Sequence, residues 1–297
     1  MLGSLSNHRL CGVWFELGYG QRGDHDSSGI RALAKALEVN GVLTTLNLSR
    51  NHIGGYWDQL RVERVYTPEG PRAIAEALRV NRVLTSLDIS YNNLNEEAAL
   101  GIVRGVWQRD IMTNLGLAGC QIGTTGINEL VEYLSVSRVL TELSVADNYI
   151  GPVGAKVVAD ALPVNRVLTT LNLSDNSLRA AGGAAMADAL KGNNVLTNLN
   201  LGQNELCGVD EDGEGTYDTS GILALADALK GNGVLTTLDL SQNYMGPEVG
   251  KAIAKTLEVN RVLTSLNLWG NDLGDEGKQA LQDAVKNNEG FEFAMPW

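Results

Sequence analysis

Few residues in this chain are of types and spacings that could do chemistry. Asp210, Glu211, Asp212 and Glu214 lie among glycines, and clustered acidic oxygens beside glycines suit Ca²⁺. The spacing does not complete an EF-hand loop, because Gly221 stands where its bidentate Glu would be. A solvated acidic loop is the plainer reading; a calcium site at Asp210, Asp212 and Glu214 is the alternative. Asp24, His25 and Asp26 could hold a metal only loosely, and no two of His8, His25 and His52 share metal-ligand spacing. Gly18 to Gly23 spells G-x-G-x-x-G, but without the strand-to-helix turn or the later acidic partner of a dinucleotide site. No nucleophile, base and orienter assemble from spacing. Neither a catalytic residue nor a cofactor is therefore assigned, and the chain is not expected to be an enzyme. Cys11, Cys120 and Cys207 are odd in number and scattered, which reads as reduced thiols in a cytoplasmic or nuclear protein.

The elements that carry these residues come from a repeat. VLTTLNLSDN (167–176) recurs as VLTTLNLSRN (42–51), VLTSLDISYN (83–92), VLTELSVADN (139–148), VLTNLNLGQN (195–204), VLTTLDLSQN (234–243) and VLTSLNLWGN (262–271), with IMTNLGLAGC (111–120) as a weaker copy. The marker positions Asn51, Asn92, Cys120, Asn148, Asn176, Asn204, Asn243 and Asn271 are spaced 41, 28, 28, 28, 28, 39 and 28 apart. A fixed period of this kind decides architecture before any single residue does. Leu171 and Leu173 alternate with polar residues, the period of a strand. Ile30, Leu33, Ala34 and Leu37 follow with the period of a helix. Asn40, Asn81, Asn165, Asn193, Asn232 and Asn260 end the helices, where a left-handed C-terminal cap is expected. The marker amide is expected to bond free backbone groups at the strand end, and Cys120 is a structural substitute for it.

The unit L-x-x-L-x-L-x-x-N-x-L followed by a helix resembles the leucine-rich repeats of ribonuclease inhibitor, the Ran GTPase-activating protein and NOD-like receptors. The resemblance covers nearly the whole chain, from about Leu10 to Phe293. Ribonuclease inhibitor alternates two repeat types and is rich in cysteine, whereas this chain repeats one type and has 3 Cys. The resemblance implies an α/β solenoid, a horseshoe with a parallel sheet on the concave side and helices on the convex side. Strands stack at about 4.8 Å and helices at about 8–10 Å, so such an array must curve. A single domain over 1–297 is expected, with about eight full repeats.

Three insertions, near 11–28, 54–69 and 207–220, fall at one place in the repeat and should leave one rim. They hold Trp14, Phe15, Tyr19, Tyr56, Trp57, Tyr66 and Tyr217, seven of the 16 aromatics. Aromatic side chains anchor interfaces, and loops on a rigid scaffold carry function. Packing back onto the rim is an equally weighted reading, compatible with the first. The exposed strand columns beginning at Asn47 and Ser49 are small and nearly uncharged, with Trp269 the exception. Leu100 and Trp107 suggest a small apolar patch on the third repeat's helix; Trp107 lying flat over its neighbour is the favoured alternative. Gly105 aligns with Tyr133 and is expected to make room for it.

Leu10 occupies the position of Ile53, so residues 1–10 are expected to be an edge strand unless a longer protein precedes them. Phe291 is expected at the place of the first strand Leu at the other end. No basic start followed by an apolar core opens the chain, and no run reaches the ~18 apolar residues of a membrane span. The net charge of −12 argues against nucleic acid and anionic membranes as partners. The sequons at Asn47 and Asn172 fall on strands and read as chance. The leading expectation is a non-catalytic protein-interaction scaffold, whose structural version is an accessory subunit of a larger assembly. The alternatives implied by the resemblance are a GTPase regulator, though the long acidic segment after its repeats is missing, or the sensor region of a longer NOD-like receptor.

Overall fold

The computed structural model describes residues 2–12, 14–16, 20–22, 25–58, 63–209, 212–288 and 290–294. The chain divides into two compact units, Met1–Tyr133 with Ser137–Asn148, and Leu134–Val136 with Tyr149–Trp297. In the first unit β1 (Leu2–Ser4), β4 (Thr45–Asn47), β7 (Ser86–Asp88), β8 (Asn114–Gly116) and β9 (Glu142–Ser144) pair in parallel, in that order. Helices α1 (Ser28–Val39), α2 (Glu69–Val80), α3 (Glu96–Trp107) and α4 (Gly123–Val136) alternate with them. Two antiparallel hairpins interrupt the pattern: β2 (Trp14–Glu16) with β3 (Gly20–Arg22), and β5 (Gly55–Asp58) with β6 (Glu63–Tyr66). The second unit repeats the scheme with β10 (Thr170–Asn172), β11 (Asn198–Asn200), β12 (Thr237–Asp239), β13 (Ser265–Asn267) and β14 (Glu292–Ala294), all parallel. Its helices are α5 (Gly151–Ala161), α6 (Arg179–Gly192), α7 (Ser220–Gly231), α8 (Pro247–Leu257) and α9 (Gly274–Val285).

Registration places like on like. Leu46, Leu87, Leu115 and Leu143 lie side by side and buried, as do Leu171, Leu199, Leu238 and Leu266. The strands are short because, in most repeats, the chain turns left-handed on both sides of the marker residue. Arg50 and His52 flank Asn51 at φ 60 and 58, and Tyr91 and Asn93 flank Asn92 at 57 and 54. That conformation is unfavourable for residues with a Cβ, and the buried amide between them offsets it. Asn92 Oδ1 accepts from the Asn51 and Ile53 amides at 2.8 and 3.3 Å, while its Nδ2 donates to the Leu48 and Ile89 carbonyls. Asn243 does the same for Asn204 and Leu206. Cys120 replaces one such amide and packs its Sγ 3.5 Å from the Ile89 and Ala118 carbonyls, which bears out its structural reading.

The helix-ending asparagines are not left-handed. Asn81 has φ −63 and ψ 137, and Asn40, Asn193 and Asn232 are likewise extended. What selects Asn there is reach. Asn81 Nδ2 donates to Leu37 O of the preceding repeat at 2.7 Å, and its Oδ1 accepts from the Val83 and Leu84 amides. Threonine supplies a third ladder: Thr113 Oγ1 donates to Thr85 O, and Thr236 Oγ1 to Thr197 O. In the fourth copy Ser137 replaces the helix-end Asn and donates to Asp110 Oδ1 at 2.6 Å.

Both ends carry paired edge strands. Leu10 matches Ile53 as expected, since its amide bonds Asn51 Oδ1 as that of Ile53 bonds Asn92. At the other end Phe293, rather than Phe291, pairs with Leu266. Gly105 does not serve Tyr133. A Cβ there would come within 2.8 Å of Ala75 O, so the glycine admits the preceding helix.

Candidate protein-binding surface

The insertions are held at their necks in one way. The Asp26 amide donates to Cys11 O at 3.0 Å, Thr67 to Gly54 O at 2.9 Å, and Asp218 to Cys207 O at 2.8 Å. Each excursion is thus closed at its base, as in a compact surface loop. Asp26 and Asp218 then accept from the Ser28 and Ser220 amides that begin α1 and α7. Those hydrogen bonds hold both carboxyls below the usual range. Cys11 and Cys207 sit buried beneath the necks, and burial pushes their thiols up to about 12 and about 11. Burial also raises the thiol of Cys120, so all three are protonated and unreactive at neutral pH.

The first two insertions touch each other. His25 stacks on Tyr56 with ring centroids 5.5 Å apart, and its Nε2 lies 3.1 Å from His52 O. His52 Nδ1 lies 2.9 Å from Asn93 Nδ2, which also donates to Gly55 O at 3.2 Å. Burial, then the charge of His25, hold the His52 imidazole below its ordinary range. Tyr66 donates to Gln121 Oε1 at 2.6 Å, two repeats onward. The third insertion is tied similarly: the Tyr217 hydroxyl accepts from the Gly246 amide at 3.1 Å.

The loop aromatics are not all held alike. Tyr56 is packed against His25, whereas Tyr66 and Tyr217 are anchored through their hydroxyls yet 40% and 53% exposed. Trp14, Phe15 and Trp57 lie on the hairpin strands, and their side chains fall outside the description. Tyr19 and Asp210 lie outside the described residues, as does Trp297. Of the calcium candidate only Asp212 and Glu214 are described, and among the described residues no three His, Cys, Asp or Glu side chains group as a metal site. The G-x-G-x-x-G run falls partly in β3 of a hairpin, with no helix opening at it.

The strand face is largely committed to itself. Asn47, Asp88, Asn172 and Asp239 each accept from the backbone amide two residues on, forming local turns. Ser49 and Ser90, expected outward, are buried. Trp269 remains 55% exposed. On the outer side Leu100 is buried, and Trp107 lies against Tyr133 with centroids 6.1 Å apart, so the pair forms no exposed apolar patch. The partners of the Tyr66 and Tyr217 hydroxyls escaped sequence reading because they lie one or two repeats away.

No helix among the described residues is long and apolar enough to cross a membrane. No curated protein matches the sequence. Among solved structures, the chain is similar to leiomodin-1 actin-binding site 2, with 25% identity, TM-score 0.45, and 56% of this chain and 88% of that one covered. It is also similar to the tropomodulin C-terminal domain of Caenorhabditis elegans, with 11% identity, TM-score 0.42, and 55% and 92% covered. At these TM-scores neither likeness says what this chain binds. The Leucine Rich repeat family profile matches residues 39–55, 80–103, 136–159, 164–187 and 259–281, within the strand-helix units described above. The chain is a leucine-rich repeat protein.

Proposed function

We propose that the chain is a non-catalytic protein-interaction scaffold, one repeat domain over residues 1–297, whose contacts are made by its insertions. The observation that carries this reading is how the insertions are held. Each is closed at its neck, and the second and third are tied to later repeats by Tyr66 and Tyr217. Loops pre-organised in this way lose less conformational freedom on binding. The anchors are Trp14, Phe15, Tyr19, Tyr56, Trp57, Tyr66 and Tyr217, with Trp269 on the strand face. Three buried, unpaired thiols support a reducing compartment, the cytoplasm or nucleus.

Affinity purification with mass spectrometry tests this, comparing wild type with Trp14→Ala/Trp57→Ala. A stoichiometric protein partner that disappears with the folded variant supports contact through the hairpins. A partner retained undiminished removes the insertions from the interface and leaves the strand face around Trp269. Acceleration of GTP hydrolysis by the purified chain would instead favour the regulator reading.

A further inference from the structure

We propose that the groove between α2 and α3 takes an extended acidic segment of the protein partner. The inference rests on the protein-binding reading and adds a second surface to it. The groove has a volume of about 450 Å³ and begins at Tyr66 and Thr67, the root of the second hairpin. Two glycines on α3 set how closely the helices pack beside it. At Gly105 an added Cβ would meet Ala75 O at 2.8 Å, so the helices are pressed together; at Gly101 the nearest atom is Ala75 Cβ, at 3.8 Å. Ala75, Ala98 and Gly101 give the groove a floor of small side chains that lets a peptide backbone approach.

The rim supplies the charge. Arg72, Arg79 and Arg104 line the groove. Arg104 is held by Glu129, whose two oxygens accept at 2.8 and 2.5 Å. Arg72 and Arg79 have no ion-pair partner among the described residues, although Glu76 stands at helical pairing distance from both. Two guanidiniums left open beside a small-residue trough suit carboxylates, which they bind in bidentate fashion. Glu76 and Glu97 also face the groove, so the segment should place its carboxylates at Arg72 and Arg79 and neutral residues between. Those two glutamates, and a first unit with 13 Lys and Arg against 16 Asp and Glu, disfavour a polyanion such as nucleic acid.

The test is fluorescence anisotropy on the full chain at low ionic strength, with a labelled peptide alternating Glu and Gly and its Gln counterpart. Arg72→Glu/Arg79→Glu is compared with Arg82→Glu/Arg138→Glu, which makes the same charge change at exposed positions outside the groove. The expected result is binding of the Glu peptide alone, weakened about tenfold or more by the groove pair and less than about twofold by the control pair. Equal weakening by both pairs, equal binding of the Gln peptide, or no binding to wild type overturns the proposal. So does self-association of wild type that the groove pair abolishes, since the occupant is then the acidic insertion of a second copy. Trp14→Ala/Trp57→Ala, run alongside, should keep the peptide bound, so failure of the hairpin reading and failure of the groove are separable.

Discussion

The two units share one repeat and differ in how they use cations. The first contains 12 Arg and 1 Lys; the second contains 3 Arg and 7 Lys. In the second, Lys156–Asp160, Lys191–Asp188, Lys230–Asp227 and Lys286–Asp283 pair within single helices, and only Arg179–Glu205 and Lys251–Glu276 cross between repeats among the described residues. In the first, guanidinium groups tie one repeat to another. Arg104 grips Glu129, Arg109 Nε donates to Arg79 O at 2.6 Å, and Arg50 lies 4.4 Å over the Tyr91 ring. A planar fork reaches across a gap and fixes an angle, whereas an ammonium on a flexible stem pairs mostly within its own helix, Lys251 reaching Glu276 of the next helix as well. The net charges follow the same division, −3 against −9, with the acidic insertion in the second unit.

Under this difference the asparagine ladders should be equivalent, which gives the largest prediction. Asn92→Ala leaves buried amides and carbonyls unpaired and is expected to cost about 3–5 kcal/mol. Asn243→Ala should match it within about 1 kcal/mol in urea denaturation, given its equal set of partners. A twofold disparity would mean the ladders are not one device.

The pH response should separate the units next. His52 has a folded-state pKa below its ordinary value, so the folded chain binds that proton less well than the unfolded one. Its contribution is complete above the unfolded value of about 6.5 and is lost as pH falls below it. The melting temperature of the first unit should therefore fall as the pH is lowered from about 7.5 to about 5.5. His52→Asn should flatten that dependence; an unchanged slope would assign the effect elsewhere.

Smaller effects sharpen the contrast between cations. Arg104→Lys should destabilise by up to about 1 kcal/mol in thermal unfolding, because the bidentate geometry is lost. Lys191→Arg should stay within about 0.5 kcal/mol of wild type, its pair being local and solvated. If the two exchanges are equally silent, the division between the units is compositional only.

The repeat made the strand-helix alternation legible, because Leu171 and Leu173 on one side and Ile30, Ala34 and Leu37 on the other have distinct periods. The left-handed residues were not legible. Arg50 and Tyr91 are types that ordinarily avoid that conformation, and the buried marker amide beside each accounts for it. Asn81 misled because Asn commonly caps helices in the left-handed region, whereas here it is chosen for the carbonyl it reaches. Gly105 misled because alignment compares equivalent positions, while packing sets each helix against the one before it. Phe293 was misplaced by two residues because the last strand has no leucine to mark its register. In the insertions the clustering of aromatics was legible, but not which hydroxyl finds a partner. Tyr66 and Gln121 are brought together by stacking, which no local pattern records.

The three ladders share a direction with a consequence for how the protein is made. Asn81 and Asn92 donate to carbonyls of the repeat before them, as does Thr113. A repeat emerging from the ribosome therefore brings the side chains that fasten it onto the repeat already outside, and it also satisfies amides there that were waiting for it, as Asn92 does for Asn51 and Ile53. Growth can proceed one unit at a time behind the tunnel exit. A lost asparagine would then act as a stall in that order, leaving the earlier repeats docked and the later ones loose.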